Sequence, residues 1–224
     1  MAFVNWLSSP ATLLTTSPVI PVVVIHDMEK AVPLAEALLA GGINIIEITL
    51  RTPVALDVIR LLHQEKPEII VGAGTITHSI QLQQCIEAGA QFAISPGATS
   101  QLLQAGRQNN IPLIPGVTSI SELMEGMSAG YSRFKLFPAE IAGGVHLLKT
   151  IHGLFPEIRF CPTGGVNEQN YLDYLALPNV ECVGGSWVVP EEAIRQDNWS
   201  KITHLCQNAV VKAYKADALA RGDK

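Results

Sequence analysis

Lys135 stands inside Arg133-Phe134-Lys135-Leu136-Phe137-Pro138-Ala139-Glu140, an apolar, aromatic run closed by a proline. As a strand, the run would place Arg133, Lys135 and Phe137 on one face and Phe134 and Leu136 on the other. Lys135 then points away from the layer that its apolar neighbours cover. Burying an ammonium is costly; loss of the proton relieves the cost and leaves a free amine nucleophile at neutral pH, which is what a Schiff-base lysine requires. A lysine that snorkels past aromatic rings to a strand end would fit the same pattern without doing chemistry. Glu47 raises the matching question. In Ile43-Asn44-Ile45-Ile46-Glu47-Ile48-Thr49-Leu50-Arg51, residues Ile45, Glu47 and Thr49 alternate with Ile46 and Ile48. The isoleucines suit a helix layer, which turns the glutamate inward. An inward carboxylate either pairs with a cation, Arg51 or Lys135, or is shifted into the range of a general acid/base. Arg51 continues the same parity at the rim, where its planar fork suits a carboxylate.

Such side chains need rigid strand ends to hold them. From Pro18 onward, short β-branched runs alternate with amphipathic stretches, giving eight strand candidates: Val19 to Ile25, Ile43 to Thr49, Ile69 to Ala73, Phe92 to Ser95, Pro112 to Pro115, Arg133 to Phe137, Arg159 to Pro162 and Val180 to Val183. Helix starts are expected near Asp27, Thr52, Thr77, Thr99, Ser119, Gly143 and Asn167, and helix ends at Gly41-Gly42, Gly89 and Gly130. Pro33 delays the first of these helices by a few residues past Asp27. Ile202, Leu205, Cys206, Ala209, Val210 and Ala213 recur at helical spacing and close the pattern. Eight βα units at this spacing predict an α/β fold, a single (β/α)8 TIM barrel, with an open doubly wound sheet as the competing arrangement.

In a chain of 224 residues, 48% hydrophobic and 16% charged, one large core is the natural reading, so residues 1–224 are expected to form one barrel domain. Residues 1–17 read as a short N-terminal helical segment, with Phe3, Trp6 and Leu7 packing on the body, and residues 18–224 as the barrel. Pro10, Pro18 and Pro21 interrupt that segment, and its apolar runs are far shorter than a membrane span needs. A net charge of −5 with no Lys/Arg cluster argues against a nucleic-acid surface. Cys85, Cys161, Cys182 and Cys206 are scattered, which suits reduced core thiols and a cytoplasmic location. The histidines show no H-x-H or H-E-x-x-H spacing, so neither a metal nor another cofactor is expected, and His78 reads as a solvated neighbour of a helix cap.

The working surface of either fold lies where strands end. There the chain places Gly72-Ala73-Gly74-Thr75, Ser95-Pro96-Gly97, Pro115-Gly116, Thr163-Gly164-Gly165 and Gly184-Gly185-Ser186. Any one of these could be a turn and nothing more. Two glycine corners after the seventh and eighth candidate strands, followed by Pro190-Glu191-Glu192-Ala193 as a short helix, favour a phosphorylated ligand.

The ordered runs E-I-T-L-R-T (47–52), G-A-G-T (72–75), F-A-I-S-P-G (92–97), P-L-I-P-G-V (112–117), F-K-L-F-P-A-E (134–140), R-F-C-P-T-G-G-V (159–166) and G-G-S-W (184–187) resemble those of the class I 2-keto-3-deoxy-6-phosphogluconate (KDPG) aldolases, also named 4-hydroxy-2-oxoglutarate aldolases. The resemblance spans almost the whole chain; Leu136 departs from a phenylalanine common in the family. It implies Lys135 as the Schiff-base lysine and Glu47 as the general acid/base. Arg51, Thr75, Pro96 and Thr163, with Phe137 beside the lysine, would line the keto-acid site, and Gly164, Gly165, Gly185 and Ser186 would hold a phosphate. It also implies cleavage of KDPG to pyruvate and glyceraldehyde 3-phosphate, a homotrimer, and a small keto acid phosphate as the partner. The galactonate epimer of the substrate, or a phosphate-binding barrel isomerase in which Lys135 forms no adduct, are the alternatives.

Overall fold

The structure, a computed structural model, describes residues 6–222. It is a mixed α/β fold of parallel strands separated by helices. In chain order the elements are α1 (Pro10–Leu14), β1 (Val19–Val23), a 3-10 turn (Met28–Lys30), α2 (Ala31–Ala40), β2 (Ile45–Thr49), α3 (Ala55–Glu65), β3 (Ile70–Gly74), α4 (Ser79–Glu87), β4 (Phe92–Ile94) and α5 (Ser100–Gln108). They continue with β5 (Leu113–Ile114), β6 (Gly116–Val117), α6 (Ile120–Ser128), β7 (Arg133–Leu136), α7 (Ala139–Ala142), α8 (Gly144–Leu154), β8 (Arg159–Pro162), α9 (Tyr171–Leu175), β9 (Val183–Gly185), α10 (Glu191–Arg195) and α11 (Trp199–Arg221).

The strands form a curled six-stranded parallel sheet, β5-β4-β3-β2-β1-β9, and a three-stranded parallel sheet, β6-β7-β8. Where the sequence predicts one strand from Pro112 to Pro115, two short strands flank Pro115, which has no N–H to give to a ladder. The last strand also differs: it runs from Val183 to Gly185, while Val180 makes only an isolated bridge to Phe160. A second isolated bridge pairs Thr163 with Gly184.

Alternation explains the side-chain layers. Phe134 and Phe160 leave β7 and β8 on the outer face, with their rings 6.2 Å apart, and Gly126 of α6 lies so close that a methyl group there would sit 2.4 Å from the Phe134 ring. Fixing Phe134 outward fixes Lys135 inward, because a one-residue slip would reverse both. The same holds in β2, where Ile46 and Ile48 are fully buried and Glu47 takes the other face.

Helix boundaries follow local chemistry. Asp27 caps the 3-10 turn through Glu29 N, and α2 begins at Ala31, so Pro33 falls in the first turn, where no helical partner for its nitrogen is needed. Thr99 and Ser119 cap α5 and α6 as expected, and Gly143 precedes α8. Two expected starts shift: α3 follows Val54 instead of Thr52, and α9 follows Asn170 instead of Asn167, whose side chain accepts from Gln169 N in the preceding turn. Gly42, Gly89 and Gly130 end their helices with φ of 82°, 93° and 95°, in the left-handed region. The N-terminal helix is Pro10–Leu14, capped by Ser9, and Trp6 precedes it, stacking on Tyr131 and donating to Gly106 O. Leu7, expected to pack, is exposed. Phe3 lies outside the described residues. Among these, no helix is long and apolar enough to cross a membrane.

Candidate active site

Lys135 and Glu47 meet inside the fold. Lys135 Nζ lies 3.3 Å from Glu47 Oε1, with side chains 6% and 1% exposed, so this contact is cut off from bulk water. Of the two partners considered for Glu47, the structure pairs it with Lys135 and not with Arg51. At 3.3 Å the contact is longer than the 2.7–2.9 Å usual for an ammonium on a carboxylate. The amine is held beside the carboxylate without being locked to it.

Each side chain is placed by the strands around it. Glu47 is in register with Val22 of β1 and Gly72 of β3, and Lys135 with Gly116 of β6 and Cys161 of β8. The small residues of β3 make the room. A methyl group on Gly74 would lie 2.1 Å from Glu47 Oε1, and one on Gly72 would lie 2.1 Å from the ring of Phe92. The Phe137 ring flanks the amine, with its centroid 5.2 Å from Lys135 Nζ, a face that favours a cation.

The other expected residues lie just past the carboxyl ends of the strands. Thr75 follows β3 with φ of 62°, a left-handed conformation unusual for a β-branched residue and costing about 1–3 kcal/mol. Ser95 donates to Gly97 O and accepts from Gly116 N, fixing the Pro96 loop between β4 and β6. Gly116 packs so tightly on Pro96 that a methyl group would sit 2.4 Å from its carbonyl carbon. Thr163 is buried against Gly184, where a methyl group would meet its hydroxyl at 2.2 Å. Arg51 is exposed, and its side chain makes no hydrogen bond or ion pair among the described residues.

The two glycine corners differ from each other. Gly164 and Gly165 are left-handed, with φ of 95° and 83°. The carbonyls of Thr163, Gly164 and Gly165 accept from Ala139 N, Glu140 N and the side-chain amides of Asn167 and Asn170, respectively. The Gly164 N–H faces β9, where Thr163 bridges Gly184, while the N–H groups of Gly165 and Val166 meet no protein acceptor among the described residues. Gly184 and Gly185, in contrast, belong to strand β9, and the Trp187 ring covers Gly185; Ser186 follows, exposed. The predicted short helix at 190–193 exists as α10, but Glu191 and Glu192 in its first turn repel an anion there. The Val166 amide and the supporting Asn167, Asn170 and Tyr174 escape the sequence reading; the two asparagines three residues apart after a glycine pair were a turn signal that could have found them.

Burial pushes the thiol of Cys182 well up, with the neighbouring Cys161 thiol adding to the effect. The Cys182 thiol stays protonated. Among the described residues, no three His, Cys, Asp or Glu side chains come together as metal ligands, and His78 is an exposed cap residue.

Comparison with known proteins bears on what this arrangement does. The family described as "Aldolase: KDPG and KHG aldolase" matches residues 11–205. The chain is 54% identical over 209 residues to the 2-dehydro-3-deoxy-phosphogluconate aldolase of Pseudoalteromonas atlantica, covering 93% of this chain and 97% of the relative. It is 53% identical over 206 residues to the KHG/KDPG aldolase of Escherichia coli K12, covering 92% and 97%. Among solved structures, the KDPG aldolase of Legionella pneumophila, with pyruvate captured as a covalent carbinolamine intermediate, superposes with a TM-score of 0.90 at 57% identity, covering 92% of this chain and 99% of that one.

Proposed function

The chain belongs to the KDPG and KHG aldolase family, and we propose that it is a metal-independent class I aldolase that cleaves 2-dehydro-3-deoxy-6-phosphogluconate through an imine on Lys135. The observation that carries this reading is the buried amine of Lys135 held 3.3 Å from the Glu47 carboxylate. The unprotonated amine adds to the C2 ketone of the substrate, giving a carbinolamine; its hydroxyl takes up one proton, which imine hydrolysis gives back at the end of the cycle, and leaves as water, so that a cationic imine remains. Glu47 takes the proton of the C4 hydroxyl, directly or through one water, as the C3–C4 bond breaks. The bonding pair flows into the imine to give an enamine, and C4 leaves as the aldehyde of glyceraldehyde 3-phosphate. Protonated Glu47 returns the proton to C3, and water hydrolyses the imine to pyruvate and free Lys135. Atoms and protons balance over the cycle.

Arg51 and Thr75 hold the substrate carboxylate so that the ketone meets the amine in attack geometry. Pro96, Phe137 and Thr163 line the reacting carbons. Gly164, Gly165, Gly185 and Ser186 take the phosphate, an assignment supported by the Gly165 amide, which has no acceptor among the described residues. The same chemistry without the phosphate would cleave 4-hydroxy-2-oxoglutarate to pyruvate and glyoxylate, which accords with the name of the E. coli relative. The fold reading goes with it: we take β5 and β6 as one strand kinked at Pro115, and the Thr163–Gly184 bridge as the seam that closes eight strands into one barrel domain. A homotrimer in the cytoplasm completes the proposal.

The test is borohydride reduction in the presence of pyruvate, followed by peptide mass mapping. A lactyl-sized adduct on Lys135, absent in Lys135→Met together with turnover, is the expected result. An adduct on another lysine, or none, overturns the imine mechanism.

A further inference from the structure

We propose that Glu140 and Tyr174 are positioning residues that aim the amides of Gly165 and Val166 at the substrate phosphate, and so set preference for phosphorylated over unphosphorylated keto acids. The proposal rests on the phosphate assignment above and adds the parts that give that corner its shape.

The corner has no rigidity of its own, since two adjacent left-handed glycines are the least constrained residues a chain can place together. Its order comes from outside. A planar trans peptide points its N–H away from its own carbonyl, so whatever holds a carbonyl also aims the next amide. Ala139 N holds Thr163 O at 2.8 Å and thereby turns Gly164 N–H the other way. Glu140 N holds Gly164 O at 3.1 Å and turns Gly165 N–H likewise. Asn167 Nδ2 and Asn170 Nδ2 hold Gly165 O at 3.0 and 3.1 Å and turn Val166 N–H. Asn170 is itself fixed by Asn167 N, at 2.8 Å. The Gly164 N–H so turned faces Gly184 across the Thr163–Gly184 bridge, whereas the successive donors of Gly165 and Val166, each set by an outside partner, have no acceptor among the described residues and can be offered to an oxyanion.

Glu140 is the centre of this support. Its backbone makes one of the four bonds to these carbonyls, and its side chain fills the space beside Gly165, where a methyl group would lie 2.5 Å from Glu140 Cγ. Among the described residues one bond fixes that side chain: the hydroxyl of Tyr174 in α9, a fully buried residue, donates to Glu140 Oε1. Burial and the Glu140 carboxylate both hold the Tyr174 phenol above its ordinary value, so it remains a donor throughout the neutral range. Tyr174 therefore ties α9 to α7 across the corner without itself lying at a strand end.

Tyr174→Phe removes that donor and leaves the ring that packs α9; Glu140→Gln keeps the shape and removes the charge. Steady-state kinetics of both variants, of Ser186→Ala and of wild type are measured with 2-dehydro-3-deoxy-6-phosphogluconate and with 4-hydroxy-2-oxoglutarate. For Tyr174→Phe and Glu140→Gln, KM for the phosphorylated substrate should rise about three- to tenfold with kcat within twofold, the size expected for one loosened hydrogen-bonded support. Both constants for the unphosphorylated substrate should stay within twofold. If Ser186→Ala discriminates between the substrates and the other two variants do not, the positioning proposal is overturned while the phosphate assignment stands. If Ser186→Ala fails to discriminate as well, the phosphate assignment itself falls. Equal losses on both substrates in Tyr174→Phe would mark a merely structural residue and also overturn the proposal. Should Glu140→Gln fold poorly by circular dichroism, Tyr174→Phe decides alone.

Discussion

At the scale of single residues, the pair Lys135–Glu47 was legible because each sits as an ionisable residue in an apolar strand, and period-two alternation leaves such a residue only the inner face. Which of the two candidate cations, Arg51 or Lys135, would meet Glu47 was not legible, since Glu47 and Lys135 are brought together by strands far apart in sequence. Nor did spacing indicate that Arg51, of the same parity as Glu47, would remain exposed and unpaired among the described residues. The roles separate in one mutant. Glu47→Gln keeps size and hydrogen-bonding capacity but removes the proton acceptor, so kcat should fall about 10²- to 10⁴-fold, the usual worth of a positioned acid/base. Trapping of pyruvate on Lys135 by borohydride should survive in part. Near-wild-type turnover in Glu47→Gln would show that another group carries the proton.

At the scale of elements, the G-A-G run of β3 is where sequence and site are most tightly linked. Neither Gly72 nor Gly74 has a positive φ, so alanine is allowed by the backbone at both positions and only packing resists it. The obstacle differs. At Gly74 the added methyl group would meet the Glu47 carboxylate, whereas at Gly72 it would meet the buried ring of Phe92. Gly74→Ala should therefore push the carboxylate away from Lys135 and cut kcat by about 10² or more, within the range of a lost acid/base. Gly72→Ala overpacks the core and should cost about 1–3 kcal/mol of stability. Thermal unfolding and kcat measured on both variants check this, and an undiminished kcat in Gly74→Ala would mean that Glu47 is not where the chemistry needs it. The boundaries that the sequence placed wrongly have local causes of the same kind. The strand at Val180 shifted to Val183 because the chain bulges between the Phe160–Val180 and Thr163–Gly184 bridges, a feature that no hydrophobic pattern encodes. Helix α9 began late because Asn167 and Asn170 are engaged with the glycine corner before it.

At the scale of the whole molecule, the alternation of strand and helix was legible from periodicity alone, while the division into a six- and a three-stranded sheet reflects two local breaks, the proline between β5 and β6 and the isolated bridges that alone join β8 to the β9 segment. The same packing that hides the lysine hides several weak acids, and this has a thermodynamic consequence. Burial pushes the thiols of Cys85 and Cys206 up to about 12 and raises that of Cys182 as well; it also raises the phenol of Tyr131. In the unfolded chain a thiol titrates near 8.5 and a tyrosine near 10. Above pH 8.5 the unfolded state therefore binds fewer protons than the native state, so the stability of the fold decreases as pH rises. The contribution is fully present below the unfolded thiol value and is lost progressively as pH climbs toward the folded values. By pH 10 each of these thiols should have cost about 1.5 to 2 kcal/mol, from 1.36 kcal/mol per pH unit per proton. Thermal unfolding followed from pH 7 to 10.5 in reducing buffer should show a flat region below about pH 8.5 and a steepening decline above it. Cys85→Ala should make that decline shallower by about one proton's worth, even though it loses some stability at pH 7 through the space it leaves. A stability that stays level up to pH 10.5, or a slope unchanged in Cys85→Ala, would show that these thiols are reached by water and that the core around them is looser than the structure has it.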